Sequence, residues 1–236
     1  MRFLNTGHRG AMGVSPENTL ASFRRAVADG ATEIELDLRL SADGELVIMH
    51  DADVSRTTNG SGPIADFTLA ELREFDAGDG ERIPTFAEAL DAVALPIQAE
   101  IKATEAVGPL LDLLRRNPEL LARISPTSFH EDVVGEVAAA LPETLVGLIR
   151  SKTSHDMLDR AAELGARRVL CGWAGADAAF VEAAHEREFA VGLWPVNSTE
   201  EMSRAIALRA DGITTNYPAI LGECGYRIVD GELARI

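Results

Sequence analysis

Three features predict an α/β fold in which repeated βα units close into a (β/α)8 barrel. Short β-rich runs alternate with amphipathic helical stretches almost to the end of the chain, and repeated βα units imply a parallel sheet. The length of 236 residues is close to the usual size of such a barrel. Ionisable side chains collect at the C-terminal ends of the expected strands, where barrel enzymes carry their chemistry. A doubly wound open sheet is the alternative.

Strands are expected at 2–6, 32–38, 45–49, 96–102, 123–128, 144–149, 168–171, 190–196 and 212–215. Helices are expected at 19–28, 69–75, 86–92, 105–115, 131–140, 154–164, 177–186 and 200–208. Each helix rests on apolar spacing of three or four, with Ala-rich faces able to lie against a sheet. Ser15-Pro16 reads as a helix start, Ser15 as the cap and Pro16 at the first helical position. Asp43-Gly44 marks a tight turn. If 45–49 extends the second strand around that turn, eight barrel strands remain. Asp230-Gly231 suggests a terminal hairpin. The stretch 51–84 breaks the repeat with the turn-rich run from Thr57 to Pro63. A connection that long inside a domain usually has a task. It is expected to be a small cap inserted over the mouth of a barrel domain spanning 1–236.

A formal net charge of -16 argues against nucleic-acid binding, which needs a basic footprint, and against stable association with anionic membranes. A small anionic substrate is compatible with this charge if cations are concentrated in one site. Cys171 and Cys224 are the only cysteines and have no CxxC context, so two reduced thiols are expected. No apolar run approaches the roughly 20 residues of a membrane helix. Met1-Arg2-Phe3-Leu4 runs straight into the segment carrying His8, leaving no room for a signal peptide, so the expected location is the cytoplasm.

The chemistry follows from strand periodicity. Glu35 and Asp37 point one way while Ile34, Leu36 and Leu38 point the other. The apolar set must meet the outer helices, so the carboxylates face the barrel interior. The same alternation sends Gln98, Glu100 and Lys102 inward. Buried like charges repel and lose hydration, so they need a counter-charge. One divalent cation is the simplest solution, and all-oxygen ligands favour Mg²⁺ or Ca²⁺ over Zn²⁺. Glu35, Asp37 and Glu100 are therefore the expected metal ligands. His8 and His50 fall at the same rim, where imidazoles can exchange protons near neutral pH. Arg9 and Lys102 can hold phosphate oxygens, balance the acids, or both. Glu17 is a candidate to reach the site. Trp194 serves either as barrel packing or as an apolar wall for a glycerol or alcohol moiety. Asn197, Ser128, Phe129 and Asn216 are weaker rim candidates. The set suits metal-assisted acid–base chemistry on a phosphate ester.

At these residues the chain resembles the glycerophosphodiester phosphodiesterase family. The resemblance lies in His8-Arg9-Gly10, Pro16-Glu17-Asn18-Thr19, Glu35-Leu36-Asp37, His50-Asp51 and Arg56-Thr57-Thr58-Asn59-Gly60. It continues through Ile83-Pro84-Thr85, Glu100-Ile101-Lys102, Trp194-Pro195-Val196-Asn197 and Asp211-Gly212-Ile213. It implies a TIM barrel with a small insertion after the second strand, and metal ligation by Glu35, Asp37 and Glu100. It also implies acid–base roles for His8 and His50 and phosphate contacts from Arg9 and Lys102. The implied reaction is hydrolysis of a glycerophosphodiester to glycerol 3-phosphate and an alcohol. The same chemistry on lysophospholipids or sugar phosphodiesters is an alternative, as is a catalytically silent phosphodiester-binding barrel. Which histidine is the base stays open, as does attack by water against attack by the adjacent glycerol hydroxyl. Pro195 stands where the family often has Thr, and Asn216 where some members have Asp. Neither position belongs to the catalytic set.

Overall fold

The computed structural model describes residues 3–236. Its strands are β1 Leu4–Gly7, β2 Glu33–Leu40, β3 Leu46–Ile48, β4 Ile97–Ile101, β5 Ile124–Ser128 and β6 Gly147–Lys152. β7 Arg168–Ala174, β8 Ala190–Trp194, β9 Gly212–Thr215, β10 Tyr226–Val229 and β11 Glu232–Arg235 follow. The helices are α1 Leu20–Ala28, α2 Leu69–Leu72, α3 Phe86–Ala92, α4 Val107–Arg116 and α5 Glu131–Ala140. They continue with α6 Asp156–Glu163, α7 Ala178–Glu186, α8 Thr199–Ala207 and α9 Ile220–Glu223.

β1 pairs in parallel with both β2 and β9, and each remaining barrel strand pairs in parallel with the next. That closes a cylinder of eight parallel strands and excludes the open doubly wound sheet. β3 lies antiparallel on β2, with Leu38 opposite Ile48 and Leu40 opposite Leu46. It is the returning limb of the Asp43-Gly44 turn and no part of the cylinder. β10 and β11 form the terminal hairpin.

Alternation along the strands assigns the two faces. Ile34, Leu36 and Leu38 of β2 and Ile97, Ala99 and Ile101 of β4 are fully buried in the layer shared with the helices. Glu33, Glu35 and Asp37 take the opposite face, as do Gln98 and Glu100. The register sets Glu35 beside Gln98 and Asp37 beside Glu100 on neighbouring strands. A second, smaller core joins Val47 and Met49 to Val54, Ile64, Leu72, Ala77 and Ile83 of the inserted segment. Phe67 and Phe75 meet edge-on beside it at 5.2 Å.

Several expected boundaries move for identifiable reasons. The first helix begins at Leu20, because Thr19 rather than Ser15 caps it: Thr19 Oγ1 accepts from the Ser22 N–H at 3.1 Å. Pro16 instead accepts the Thr19 hydroxyl at its carbonyl. α2 stops at Leu72, and Phe75 turns in toward Phe67. A 3₁₀ turn at Thr104–Ala106 delays α4 to Val107. The strand expected at 144–149 starts at Gly147, since the Thr144 N–H closes a turn on the Leu141 carbonyl. Arg2, at the start of the first expected strand, lies outside the described residues.

The N-terminal end of the barrel holds a closed polar knot. Arg168 donates through both terminal nitrogens to Glu33 at 2.9 and 2.8 Å, and Thr6 Oγ1 donates to the same carboxylate at 2.6 Å. Both side chains are 3% exposed. Removing one partner strands a buried charge, so Arg168→Met is expected to cost about 3–5 kcal/mol in urea unfolding. The double variant Glu33→Leu/Arg168→Met should recover most of that loss. A single-variant loss within experimental error would show that the pair contributes nothing.

Candidate active site

The site is built where β1, β2, β3 and β4 end. The turn after β1 is bent sharply. Arg9 has φ 48° and Gly10 φ 82°, and a Cβ on Gly10 would lie 2.4 Å from Ser22 Oγ. Only glycine fits that approach. The turn is tied down by its own carbonyl, since Arg9 O accepts from Asn18 N at 3.0 Å and Ser22 Oγ at 2.8 Å. The Arg9 N–H in turn donates to Glu35 Oε2 at 2.7 Å. His8 and Arg9 are thereby held against the carboxylates of β2.

Glu35, Asp37 and Glu100 converge, with one oxygen from each within 4.8 Å of the others. Their exposures are 2%, 1% and 7%. Glu35 Oε1 and Asp37 Oδ1 are buried without a hydrogen-bond partner. Burial and the facing Asp37 and Glu100 push the Glu35 carboxyl well above the ordinary value. Burial and Asp37 raise Glu100 to about 7. Three acidic oxygens held this close, two with lone pairs unused, fit a hard divalent cation.

Cations flank the cluster. Lys102 Nζ lies 2.5 Å from Glu100 Oε1 and 3.4 Å from Asp37 Oδ1. Arg9 Nε lies 3.3 Å from Asp37 Oδ2. Burial works against both cations, but Asp37 and its acidic neighbours outweigh it and raise both. Asn18, also at positive φ, donates its amide to Asp37 Oδ2 at 2.8 Å.

The two imidazoles sit in different surroundings. His8 Nδ1 pairs with Asn216 Oδ1 at 2.7 Å, and its Nε2 is 4.0 Å from Glu35 Oε2. Burial, then Arg9, lowers His8 to about 4. His50 Nδ1 pairs with Asp51 Oδ1 at 2.6 Å. Burial lowers His50 too, against the pull of Asp51. Arg39 donates twice to the His50 carbonyl, at 3.0 and 2.6 Å, and fixes the backbone there.

The inserted segment reaches this rim through Arg56. Its terminal nitrogens donate to both oxygens of Glu17, at 2.9 and 2.7 Å, and its Nε donates to Asp51. Glu17 also accepts from Arg9 at 2.7 Å. Arg56 and Arg9 more than offset burial and hold Glu17 at about 2. Arg56, with help from His50, holds Asp51 at about 2.

A cavity of about 110 Å³ opens at the centre, lined by His8, Arg9, Glu35, His50, Glu100, Lys102 and Trp194, with Gln98, Phe129, Ile149, Leu170 and Thr214. The expected site residues are thus brought together. Asp37 and Glu17 stand apart from the lining, one among cations and Asn18, the other clamped between two arginines. Trp194 meets Phe129 edge-on at 5.7 Å, and Lys102 lies 5.5 Å from the Phe129 ring. Asn197 Oδ1 accepts from the Asn216 N–H at 2.8 Å, one step behind His8. Ser128 donates to the Ile101 carbonyl and is structural. Asn18, Arg39, Asp51 and Arg56 were not singled out as site residues. Asp51 follows a candidate histidine directly, and Asn18 sits in a helix-start motif, so both carried a local signal. Arg56 opens the Arg56-Thr57-Thr58-Asn59-Gly60 motif of the family resemblance, whereas Arg39 carried no signal of its own.

The profile of the glycerophosphoryl diester phosphodiesterase family matches residues 8–220. This chain belongs to that family. A glycerophosphodiester phosphodiesterase of Caldanaerobacter subterraneus is 33% identical over 235 residues, covering 94% of this chain and 97% of its own. One of Bacillus subtilis is 30% identical over 249 residues, covering 92% and 84%. Among solved structures, a phosphodiesterase of Oleispira antarctica in complex with the product sn-glycerol-3-phosphate matches with TM-score 0.85 at 26% identity, over 93% of this chain and 95% of that one. The glycerophosphodiester phosphodiesterase of Thermotoga maritima matches with TM-score 0.80 at 26% identity, over 94% and 99%. The barrel is therefore common to this chain and both of these solved structures.

His8 yields a pH prediction. Its folded value of about 4 lies below the ordinary 6.5, so between the two the unfolded chain binds the extra proton. The stability that depends on neutral His8 is intact above about pH 6.5 and is lost as pH falls toward 4. In metal-free protein, the NMR shift of the His8 ring protons should stay flat from pH 8 to about 5. A midpoint near 6.5 would contradict the burial argument.

Proposed function

We propose that this protein hydrolyses glycerophosphodiesters to glycerol 3-phosphate and an alcohol, using His8 and His50 as base and acid. One observation carries the reading: two members of a buried carboxylate triad, two imidazoles and two cations line one small cavity, with the third carboxylate, Asp37, beside them. The family membership and the product complex of the Oleispira relative point the same way.

Glu35, Asp37 and Glu100 would hold one divalent cation, Mg²⁺ or Ca²⁺ by their all-oxygen donors. Such an ion would relieve the repulsion among the carboxylates and would supply Lewis-acid stabilisation of phosphoryl charge. Arg9 and Lys102 bind the non-bridging phosphate oxygens, with the guanidinium anchored from behind by Glu17. His8 donates its Nδ1 proton to Asn216 Oδ1, so Nε2 keeps its lone pair toward the cavity. A neutral, buried imidazole in that tautomer suits proton abstraction from the attacking hydroxyl. His50 has a carboxylate, not an amide, on Nδ1, which supports the imidazolium form. It suits protonation of the departing alkoxide as the phosphorus–oxygen bond breaks. The segment 51–84 acts as a cap that braces the rim through Arg56 and limits the alcohol side of the substrate. Among the described residues, no helix is long and apolar enough to cross a membrane.

The test is a product assay for glycerol 3-phosphate across a panel of glycerophosphodiesters, lysophospholipids and sugar phosphodiesters. Chelation should abolish turnover, and Mg²⁺ or Ca²⁺ should restore it. Glu35→Gln should weaken cation binding in calorimetry. Full turnover by metal-free protein would sink the metal assignment, and no turnover of any diester would sink the enzyme reading. His8→Ala and His50→Ala should each lose about 10²–10⁴ in rate on a natural diester. A nitrophenyl diester needs little protonation of its leaving group. It should therefore rescue His50→Ala and not His8→Ala; the opposite pattern would exchange their roles.

A further inference from the structure

Gln98 is a polar residue on the floor of the cavity for which the reaction steps above have no use. On β4 it precedes Glu100 by two residues, so it faces the same way one row deeper. Its neighbours across the register are Glu35 on β2 and Ser125 on β5. Ser125 turns its hydroxyl to the Leu145 carbonyl. Gln98 is 3% exposed, yet its Oε1 has no hydrogen-bond partner. A buried acceptor left unpaired destabilises a fold, and an apolar side chain of the same length would remove that penalty. The amide therefore points to a ligand group that completes it.

The chemistry of that group can be narrowed. A neutral amide offers an acceptor and a donor side by side, which complements a hydroxyl. Phosphate oxygens are drawn to Arg9, Lys102 and the carboxylate row that would hold the cation, which leaves the amide, one row deeper, to an uncharged group. Ile149 and Leu170 line the cavity with carbon, and Thr214 adds a second hydroxyl-sized polar point. The cavity volume of about 110 Å³ suits a short polyol.

We propose that Gln98 is a specificity-determining residue whose amide reads one hydroxyl of the polyol end of the phosphodiester. The proposal rests on the functional reading above and adds to it the group that selects the polyol. It predicts that loss of the amide is felt through that hydroxyl and not through the phosphate.

The experiment measures kcat/KM for three 4-nitrophenyl phosphodiesters that share a leaving group. Their other alcohols are glycerol, 1,3-propanediol and 1,2-propanediol, so each hydroxyl is removed in turn. Gln98→Met keeps the length of the side chain and removes the amide. Its kcat/KM on the glyceryl diester should fall about ten- to a hundredfold. On the substrate lacking the hydroxyl that Gln98 reads, the fall should shrink to about threefold or less. An equal fall on all three substrates, or no fall on the glyceryl one, overturns the proposal. If thermal melting shows that Gln98→Met does not fold, Gln98→Asn, which keeps a shorter amide, is measured on the same three substrates and judged by the same unevenness. Failure of the functional reading looks different: wild-type protein would not turn over the glyceryl diester. Wild-type turnover with a flat variant profile removes Gln98 alone.

Discussion

Glu35, Asp37 and Glu100 share a space in which one oxygen from each lies within 4.8 Å of the others, almost without access to water. Like charges that close and that buried cannot all ionise unaided. The surrounding structure answers that constraint. Arg9 and Lys102 are placed against Asp37 and Glu100, the Arg9 amide and Asn18 hydrogen-bond the carboxylates, and unused lone pairs remain for a cation. The sharp turn at Arg9 and Gly10 exists to bring a backbone N–H and a guanidinium to the acids together. Its positive φ values are a local strain held by the hydrogen bonds from Asn18 and Ser22 to one carbonyl.

A second tier of contacts holds the groups that would move protons. Each histidine uses Nδ1 on a fixed partner and leaves Nε2 free for other contacts, yet the partners differ in charge. Asn216 is itself positioned by Asn197, and Asp51 by Arg56. Because Arg56 also grips Glu17, and Glu17 grips Arg9, one residue of the inserted segment links the His50 side of the site to the Arg9 side. The segment packs on a small core of its own, and from it an arginine reaches the rim.

The parts of this design that obey a period were legible in the sequence. Alternation along 32–38 and 96–102 placed Glu35, Asp37, Gln98 and Glu100 inside and their apolar neighbours outside, and the structure agrees. The βα repeat indicated the barrel, and Asp43-Gly44 the return of β3. What did not show was contact between distant segments. Arg56 lies 39 residues from Glu17, and no local pattern marks such a pair. Asn18 read as part of a helix start because its left-handed backbone and its bond to Asp37 are tertiary facts. Ser15 reads as the cap, but Thr19 fills that place because it is the residue adjacent to the first turn of α1.

The two ends of β2 show how one strand serves stability and chemistry at once. Glu33 and Glu35 are the same residue type, two positions apart, on the same inward face. Glu33 is saturated by a bidentate arginine and a threonine hydroxyl, so its charge is fully committed inside the fold. Glu35 keeps one oxygen without a partner, and its environment opposes ionisation. The difference is not in the strand but in what faces it. At the N-terminal end a cation from β7 crosses the barrel and closes the network. At the C-terminal end the facing groups are more carboxylates, and the network stays open until something enters the cavity. On β2, the saturated carboxylate therefore lies at the closed end of the barrel and the incomplete one at the end where the cavity opens.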